Sequence, residues 1–321
     1  MEHKILVEGR GLVRVFGGKS GPASSRGREV RAVDGVDITI REGETLGLVG
    51  ESGCGKSTLG RLLLRLTDST EGNIFYDGAE ITRATDREMR PLRQKMQLIF
   101  QNPYSSLHPK KTIYEAVAEP LKIFRTDRAE IRPRVMQALA EVGIPEDAAG
   151  RFPHEFSGGQ RQRIVIARAL VMEPEFIVCD EPVSALDVSV RAQVLNLMRD
   201  LQKQHDLTYL FISHDMSVVR YISDRIAVMY LGRIVELAPC DTLFREPAHP
   251  YTKALLSAIP QIGRGKKRER ILLKGDVRKT SDPEETGCPF YPRCPEAREA
   301  CRTAGPELHK VGEEHLSACL F

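Results

Sequence analysis

Gly50-Glu51-Ser52-Gly53-Cys54-Gly55-Lys56-Ser57-Thr58, set between the apolar run Thr45 to Val49 and the helix pattern Thr58 to Leu66, decides the fold. Gly50 to Ser57 fit G-x-x-x-x-G-K-S/T, followed by Thr58, in the strand, loop, helix setting that this pattern demands. Glycines let the backbone wrap closely, and the loop N–H groups and helix N-terminus offer donors to phosphate oxygens. Lys56 suits the β and γ phosphates of a nucleotide, and the Ser57 hydroxyl suits Mg²⁺. A Gly-rich turn before a helix would need no Lys-Ser pair.

Downstream, the apolar run Phe176-Ile177-Val178-Cys179 ends in Asp180 and Glu181. That places two carboxylates at the carboxyl end of a buried strand, the edge where open α/β sheets bind ligands. Asp180 is read as an outer magnesium ligand and Glu181 as the general base that polarises the attacking water.

Around these motifs the chain alternates strands and helices. Apolar residues at period two in Ile5 to Val7, Leu12 to Phe16 and Val36 to Ile40 predict a small N-terminal antiparallel sheet. A Gly/Ser/Arg-rich insertion between Phe16 and Val30 reads as a surface loop. From about 88 to 155 the pattern is helical, with Ile131, Val135, Leu139 and Val142 along one face, so a helical subdomain is expected within an α/β core. The core resumes with a helix over Gly158 to Met172, a strand over Phe176 to Cys179, a helix over Val190 to His205 and a strand over Thr208 to Ile212. That alternation predicts a parallel sheet covered on both faces. The division expected is an ATPase-type domain over 1–240 and an appendage over 241–321, with a helix near Tyr251 to Ile259 and a solvated linker at Lys266-Lys267-Arg268.

Composition narrows the classes. With 47 basic and 44 acidic residues the net charge is +3, too even for the field that gathers nucleic acid. Met1 to Arg10 holds only a three-residue apolar run, too short for a secretory signal, and even Ile164 to Met172 carries Arg168 where a membrane span would be apolar. The expectation is a soluble chain in a reducing compartment, with any membrane role peripheral. Of seven cysteines, Cys54, Cys179 and Cys240 are scattered, whereas Cys288, Cys294, Cys301 and Cys319 crowd the last 34 residues. Their spacings of five, six and seventeen intervening residues lack the C-x-x-C pairs of most zinc modules, and leave zinc, iron-sulfur and free thiols in competition.

Ser157-Gly158-Gly159-Gln160-Arg161 completes a set that resembles the nucleotide-binding subunits of ABC transporters. The set includes Gln101 after the strand Gln97 to Phe100, Ser184-Ala185-Leu186-Asp187 after the acidic pair, and His214 after the strand Thr208 to Ile212. The resemblance implies the ABC ATPase form of the P-loop NTPase fold, with a parallel-sheet core, an N-terminal antiparallel β subdomain and an inserted helical subdomain. It implies ATP and Mg²⁺, held between two subunits closed head to tail. Ser157, Gly158, Gly159 and Gln160 would then face nucleotide on the partner's phosphate loop, as a glycine-rich helix N-terminus is suited to do. His214 would reach the γ-phosphate, Gln101 would sense metal and water, Asp187 would lie at the seam, and Phe16 would stack on adenine. Phe156 stands where the family usually has Leu, an apolar change ahead of the phosphate-contacting residues. Cys54 would contribute backbone.

Longer stretches resemble the oligopeptide and dipeptide importer branch: GESGCGKST from Gly50, QNPYSSLHP from Gln101, EPVSALDVSV from Glu181, HPYTKALLSAIP from His249 and CPFYPRCPEAREAC from Cys288. Asn102 and His108 stand where Asp and Asn are commoner. The branch implies a [4Fe-4S] cluster on Cys288, Cys294, Cys301 and Cys319. It also implies two membrane-spanning permease subunits, a second similar ATPase, an external substrate-binding protein, and a place at the cytoplasmic face of the cell membrane. Small peptides are the expected cargo, with nickel or another small solute as the alternative. A non-transport ABC ATPase acting on ribosomes or DNA is the competing class; a single motif set and the absence of a basic surface signal speak against it. A redox sensor built on the cysteine tail is a second competitor.

Overall fold

The computed structural model describes residues 4–17, 29–102, 106–259, 270–273, 275, 287–305 and 307–321. Most of the Gly/Ser/Arg-rich insertion, the basic run at 266–268 and the middle of the QNPYSSLHP stretch lie outside these residues.

Strands follow in chain order as β1 (Ile5–Phe16), β2 (Val30–Arg41), β3 (Thr45–Val49), β4 (Glu71–Tyr76), β5 (Ala79–Glu80) and β6 (Met96–Ile99). They continue as β7 (Phe176–Asp180), β8 (Thr208–Ser213), β9 (Arg225–Tyr230), β10 (Arg233–Pro239), β11 (His309–Gly312) and β12 (His315–Ser317). The helices are α1 (Lys56–Leu63), α2 (Asp86–Lys95), α3 (Ile113–Ile123), α4 (Arg128–Glu141), α5 (Gly158–Leu170), α6 (Val188–His205), α7 (Met216–Ile222), α8 (Cys240–Arg245) and α9 (Pro250–Ser257). The chain divides into two compact units, one built mainly on 83–212 and the other on 5–40, 45–82 and 213–321.

In the first unit β6, β7 and β8 run parallel, with Ile99 beside Cys179 and Asp180 beside Ile212. Every residue of β7 and β8 is buried, as strands covered on both faces should be. The helical stretch over 88–155 also contains β6, the strand expected at Gln97 to Phe100, which starts one residue earlier at Met96 and pairs along its length with β7. Thr85 with Glu88 and Thr112 with Glu115 form capping boxes that start α2 and α3. The stepped residues Ile131, Val135 and Leu139 are buried on α4, which packs with α3 and α5. Each such side chain stabilises the packing by about 1.5–3 kcal/mol.

In the second unit, β2, β1, β4 and β5 form the antiparallel sheet expected at the N-terminus. The two runs Ile5 to Val7 and Leu12 to Phe16 belong to one strand, with a register shift between Arg10 and Val13 where Gly11 takes φ 56°. The polar Gly-Arg-Gly break is thus a bulge. The other sheet of this unit has β3 parallel to β9, followed by β10, β12 and β11 in antiparallel order. The last strand pair of the chain therefore belongs to the same sheet as the strand that leads into the phosphate loop.

The helix after the loop is α1, shifted from the expected Thr58 to Leu66. Gly55 takes φ 107° as its N-cap, so Lys56 and Ser57 already sit in the first turn. At the other end Arg65 takes φ 52°, and the Arg65 and Leu66 N–H groups donate to the Leu62 and Arg61 carbonyls. This Schellman closure stops the helix although the apolar pattern continues.

Candidate nucleotide-binding site

The phosphate loop leaves β3 at Gly50, beside β9. A Cβ at Gly50 would overlap the Met229 carbonyl oxygen, and one at Gly55 would overlap that of Ala32, so both positions need glycine for close approach as well as for loop shape. Lys56 is 5% exposed, and its ammonium donates to the Gly50 carbonyl at 2.8 Å and the Glu51 carbonyl at 2.9 Å. Cys54 is buried, its carbonyl accepts the Gly232 N–H at 2.9 Å, and its thiol is 3.8 Å from the Lys56 ammonium. Burial pushes that thiol up, which argues against a reactive cysteine. Ser52 and Gly53 are exposed on the loop. Ser57 and Thr58 fall in the first turn of α1, half-buried.

In the same unit Phe16 ends β1, 42% exposed, with the Arg14 guanidinium 4.7 Å from its ring centroid. His214 follows β8 and is exposed, immediately before Asp215, whose carboxylate caps α7 by accepting the Ser217 N–H at 2.9 Å.

In the other unit, Asp180 closes β7 and is 6% exposed. Glu181 follows in the left-handed region at φ 48°, an uncommon conformation for a residue with a side chain. Its N–H donates to the Ile212 carbonyl at 3.0 Å, and its carbonyl accepts the Ser184 hydroxyl at 3.0 Å. The bend turns the carboxylate to accept a hydrogen bond from the Gln101 side-chain amide at 2.9 Å, across 80 residues of sequence. Asp77, Glu173, Asp206 and Glu314 share the left-handed conformation, so the Gln101 bond is what sets Glu181 apart.

Ser157 is the N-cap of α5 and forms a capping box with Gln160: the Gln160 N–H donates to the Ser157 hydroxyl at 3.3 Å and the Ser157 N–H to the Gln160 amide oxygen at 3.0 Å. Gly159 is buried, and a Cβ there would overlap Cγ1 of Val190 on α6. Glycine at this position is therefore needed for helix packing, in addition to the bare N–H that sequence reasoning assigned to it. Asp187 is the exposed N-cap residue of α6.

Cys288, Cys294, Cys301 and Cys319 are free thiols, all half-buried, and all four line one pocket with His249, Phe290 and Tyr291. Burial pushes the Cys288 thiol up and the Cys294 thiol to about 11, so a metal or cluster bound there would displace protons. Among the described residues no group of three or more His, Cys, Asp or Glu side chains is arranged to hold a metal ion. The donor chemistry suits soft metals, and the shared pocket brings the donors to one place without a preset ligand geometry.

Sequence reasoning missed the residues that surround the phosphate loop from the C-terminal side. His249 is 1% exposed and is the N-cap of α9, its Nδ1 accepting the Tyr251 N–H at 3.1 Å, with Pro250 at the first helical position. The Tyr251 hydroxyl accepts the Glu51 N–H at 2.9 Å, and Arg293 donates twice to the Glu51 carboxylate, at 2.7 and 3.0 Å. The His-Pro-Tyr triplet had a visible signal, a capping residue followed by Pro. Arg293 had none, because 242 residues separate it from Glu51.

Burial lowers the ionisation of His249 from 6.5 to about 4. Between those pH values the unfolded chain binds the proton that the folded chain excludes. The stability this group contributes is therefore complete above about pH 6.5 and is lost as pH falls towards 4, by about 3 kcal/mol. His249→Asn keeps a capping acceptor and removes the titration. Urea unfolding at pH 7 and pH 4.5 should show a smaller loss for the variant than for the wild type; equal losses would count against this assignment.

A glycine-rich phosphate loop, a buried acidic strand end and a capped glycine helix start define an α/β nucleotide-binding cassette. The family model for ABC transporters matches residues 33–184, and the model for the oligopeptide/dipeptide transporter C-terminal region matches residues 235–301. The chain is 49% identical to the oligopeptide transport ATP-binding protein AppF of Bacillus subtilis, over 98% of this chain and 97% of that protein. It is 48% identical to the dipeptide transport ATP-binding protein DppF of Haemophilus influenzae, over 99% and 97%. Among solved structures, the dimeric post-hydrolysis state of the ATP-binding cassette MJ0796 with ADP and phosphate aligns at a TM-score of 0.64. That alignment has 30% identity and covers 73% of this chain and 99% of that one. The chain belongs to the ATP-binding subunits of ABC transporters, in the oligopeptide/dipeptide transporter family. No described helix is long and apolar enough to cross a membrane.

Proposed function

We propose that this chain hydrolyses Mg·ATP to drive import of di- and oligopeptides through a membrane complex. The observation that carries the reading is the bond between the amide of Gln101 and the carboxylate of Glu181, held at a left-handed bend after a buried strand. The near full-length likeness to peptide-transport ATP-binding proteins supports the cargo. The ATPase domain is assigned to 1–240, with the helical subdomain at about 88–155, and the extension to 241–321.

The roles follow from side-chain chemistry. Lys56 neutralises the β and γ phosphates, while loop N–H groups from Gly50 to Thr58 cradle them. Ser57 and Asp180 are oxygen donors of the kind Mg²⁺ takes, and that ion would offset phosphate charge during transfer. Glu181 accepts a proton from the attacking water, Gln101 orients that water, and His214 donates to the γ-phosphate. Phe16 stacks on adenine. Ser157 to Gln160 meet the nucleotide of a second ATPase subunit, similar but not identical, in a head-to-tail pair. Closure around two ATP molecules and reopening after hydrolysis would gate the transport cycle.

In the assembly proposed, this chain docks peripherally at the cytoplasmic face of the cell membrane on two membrane-spanning permeases, which an external substrate-binding protein serves. Cys288, Cys294, Cys301 and Cys319 would hold a [4Fe-4S] cluster, a reading supported by their common pocket. Anaerobic affinity purification of the tagged chain from native membranes tests both parts. Two permeases, a second ATPase and about four irons per chain are expected. Ribosomal or DNA-repair partners would overturn the transport role, zinc in place of iron would overturn the cluster, and a nickel-binding partner protein would overturn the peptide cargo.

A further inference from the structure

We propose that the C-terminal extension positions the phosphate loop of its own chain, with Arg293 and Tyr251 as positioning residues for nucleotide binding. The inference rests on the nucleotide-binding role proposed for that loop.

The peptide unit joining Gly50 to Glu51 is gripped at both ends. Its N–H donates to the Tyr251 hydroxyl at 2.9 Å, and its carbonyl accepts from the Lys56 ammonium at 2.8 Å. Its plane is thereby fixed, and with it the direction in which the next loop N–H groups point. The Glu51 carboxylate takes a bidentate bond from Arg293, whose side chain is only 10% exposed. A paired guanidinium and carboxylate in this geometry is both strong and directional. The pairing also has an electrostatic consequence. A carboxylate in the second position of a phosphate-binding loop repels the nucleotide unless its charge is neutralised, and Arg293 supplies that charge.

Both positioning residues are themselves held firmly. Tyr251 is fully buried, and its ring meets Tyr230 at 4.8 Å and Phe290 at 5.4 Å. The Arg293 guanidinium lies 6.0 Å from the Tyr230 ring centroid. The capping His249 donates its N–H to Glu236 at 3.0 Å; that carboxylate, fully buried on β10, also meets His315 of β12 at 2.8 Å. The extension therefore reaches the loop through a rigid aromatic and hydrogen-bonded wedge.

The test measures Mg²⁺-dependent binding of a fluorescent ADP to the full-length chain, with kcat and KM taken in the purified transport complex. Arg293→Ala is expected to weaken binding about tenfold and raise KM alike, with kcat within about twofold. Arg293→Lys should recover part of the loss, since charge returns without the bidentate fork. Tyr251→Phe, which keeps the ring packing, should weaken binding about threefold. In a Glu51→Ala background the further effect of Arg293→Ala should shrink below twofold, because the unpaired carboxylate is gone. Binding by Arg293→Ala within twofold of wild type would overturn the proposal, as would an undiminished tenfold loss in the Glu51→Ala background, which would mark Arg293 as a residue of extension folding alone. Wild-type protein that binds no nucleotide would overturn the functional reading together with this one.

Discussion

Glu181→Gln is expected to retain Mg·ATP binding while slowing hydrolysis by about 10²–10⁴, and to accumulate a closed head-to-tail dimer in the presence of ATP. The amide matches the carboxylate in shape, so the left-handed bend at φ 48° and the Ile212 and Ser184 contacts should survive. On the role proposed for Glu181, what is lost is the acceptor for the proton of the attacking water. The Gln101 amide, which donates to Glu181 at 2.9 Å, can still donate to the oxygen of the new amide. Binding and geometry are therefore kept while the base is removed, a combination that stalls the cycle after closure. Single-turnover hydrolysis and light scattering with and without ATP read both effects. Turnover close to wild type would remove Glu181 from the role of base.

Lys56→Ala should weaken Mg·ADP and Mg·ATP binding by about 10²–10³, the largest loss expected of any single residue on the loop. Two causes add. The buried ammonium no longer meets the phosphates, and the Gly50 and Glu51 carbonyls lose the donor that orders the loop. An unmet buried carbonyl costs about 1–3 kcal/mol, so thermal unfolding of the ligand-free chain should shift downward as well. Lys56→Arg is expected to rescue little, because a planar guanidinium cannot follow the path of a compact ammonium through a site 5% exposed. Calorimetric titration with Mg·ADP checks this, and affinity within threefold of wild type would refute the role given to Lys56.

The local elements were legible because their causes are local. Ser157 starts its helix with a side chain that reaches only three residues on, and the apolar runs within Thr45–Val49 and Phe176–Asp180 mark buried strands. Boundaries were less legible where backbone conformation intervened. Gly55 and Arg65 in the left-handed region moved both ends of α1, and Gly11 joined two apparent strands into one bulged strand.

Of the candidate site, the sequence by itself carried the local elements and the chemical expectation attached to them: a glycine-rich loop with a Lys-Ser pair, two carboxylates at a strand end, and a glycine-rich helix start. Motif spacing encodes those features, because a strand, a turn and a helix start are each set within a few residues. Only the tertiary structure decided how the loop is held. The bond from Gln101 to Glu181, the overlap that forbids a side chain at Gly159 against Val190, and the grip of Tyr251 and Arg293 on Glu51 join residues far apart in sequence. Four cysteines with no diagnostic spacing likewise come to share one pocket. Such contacts arise from the packing of whole elements, and no short stretch of sequence carries the physical information that fixes them.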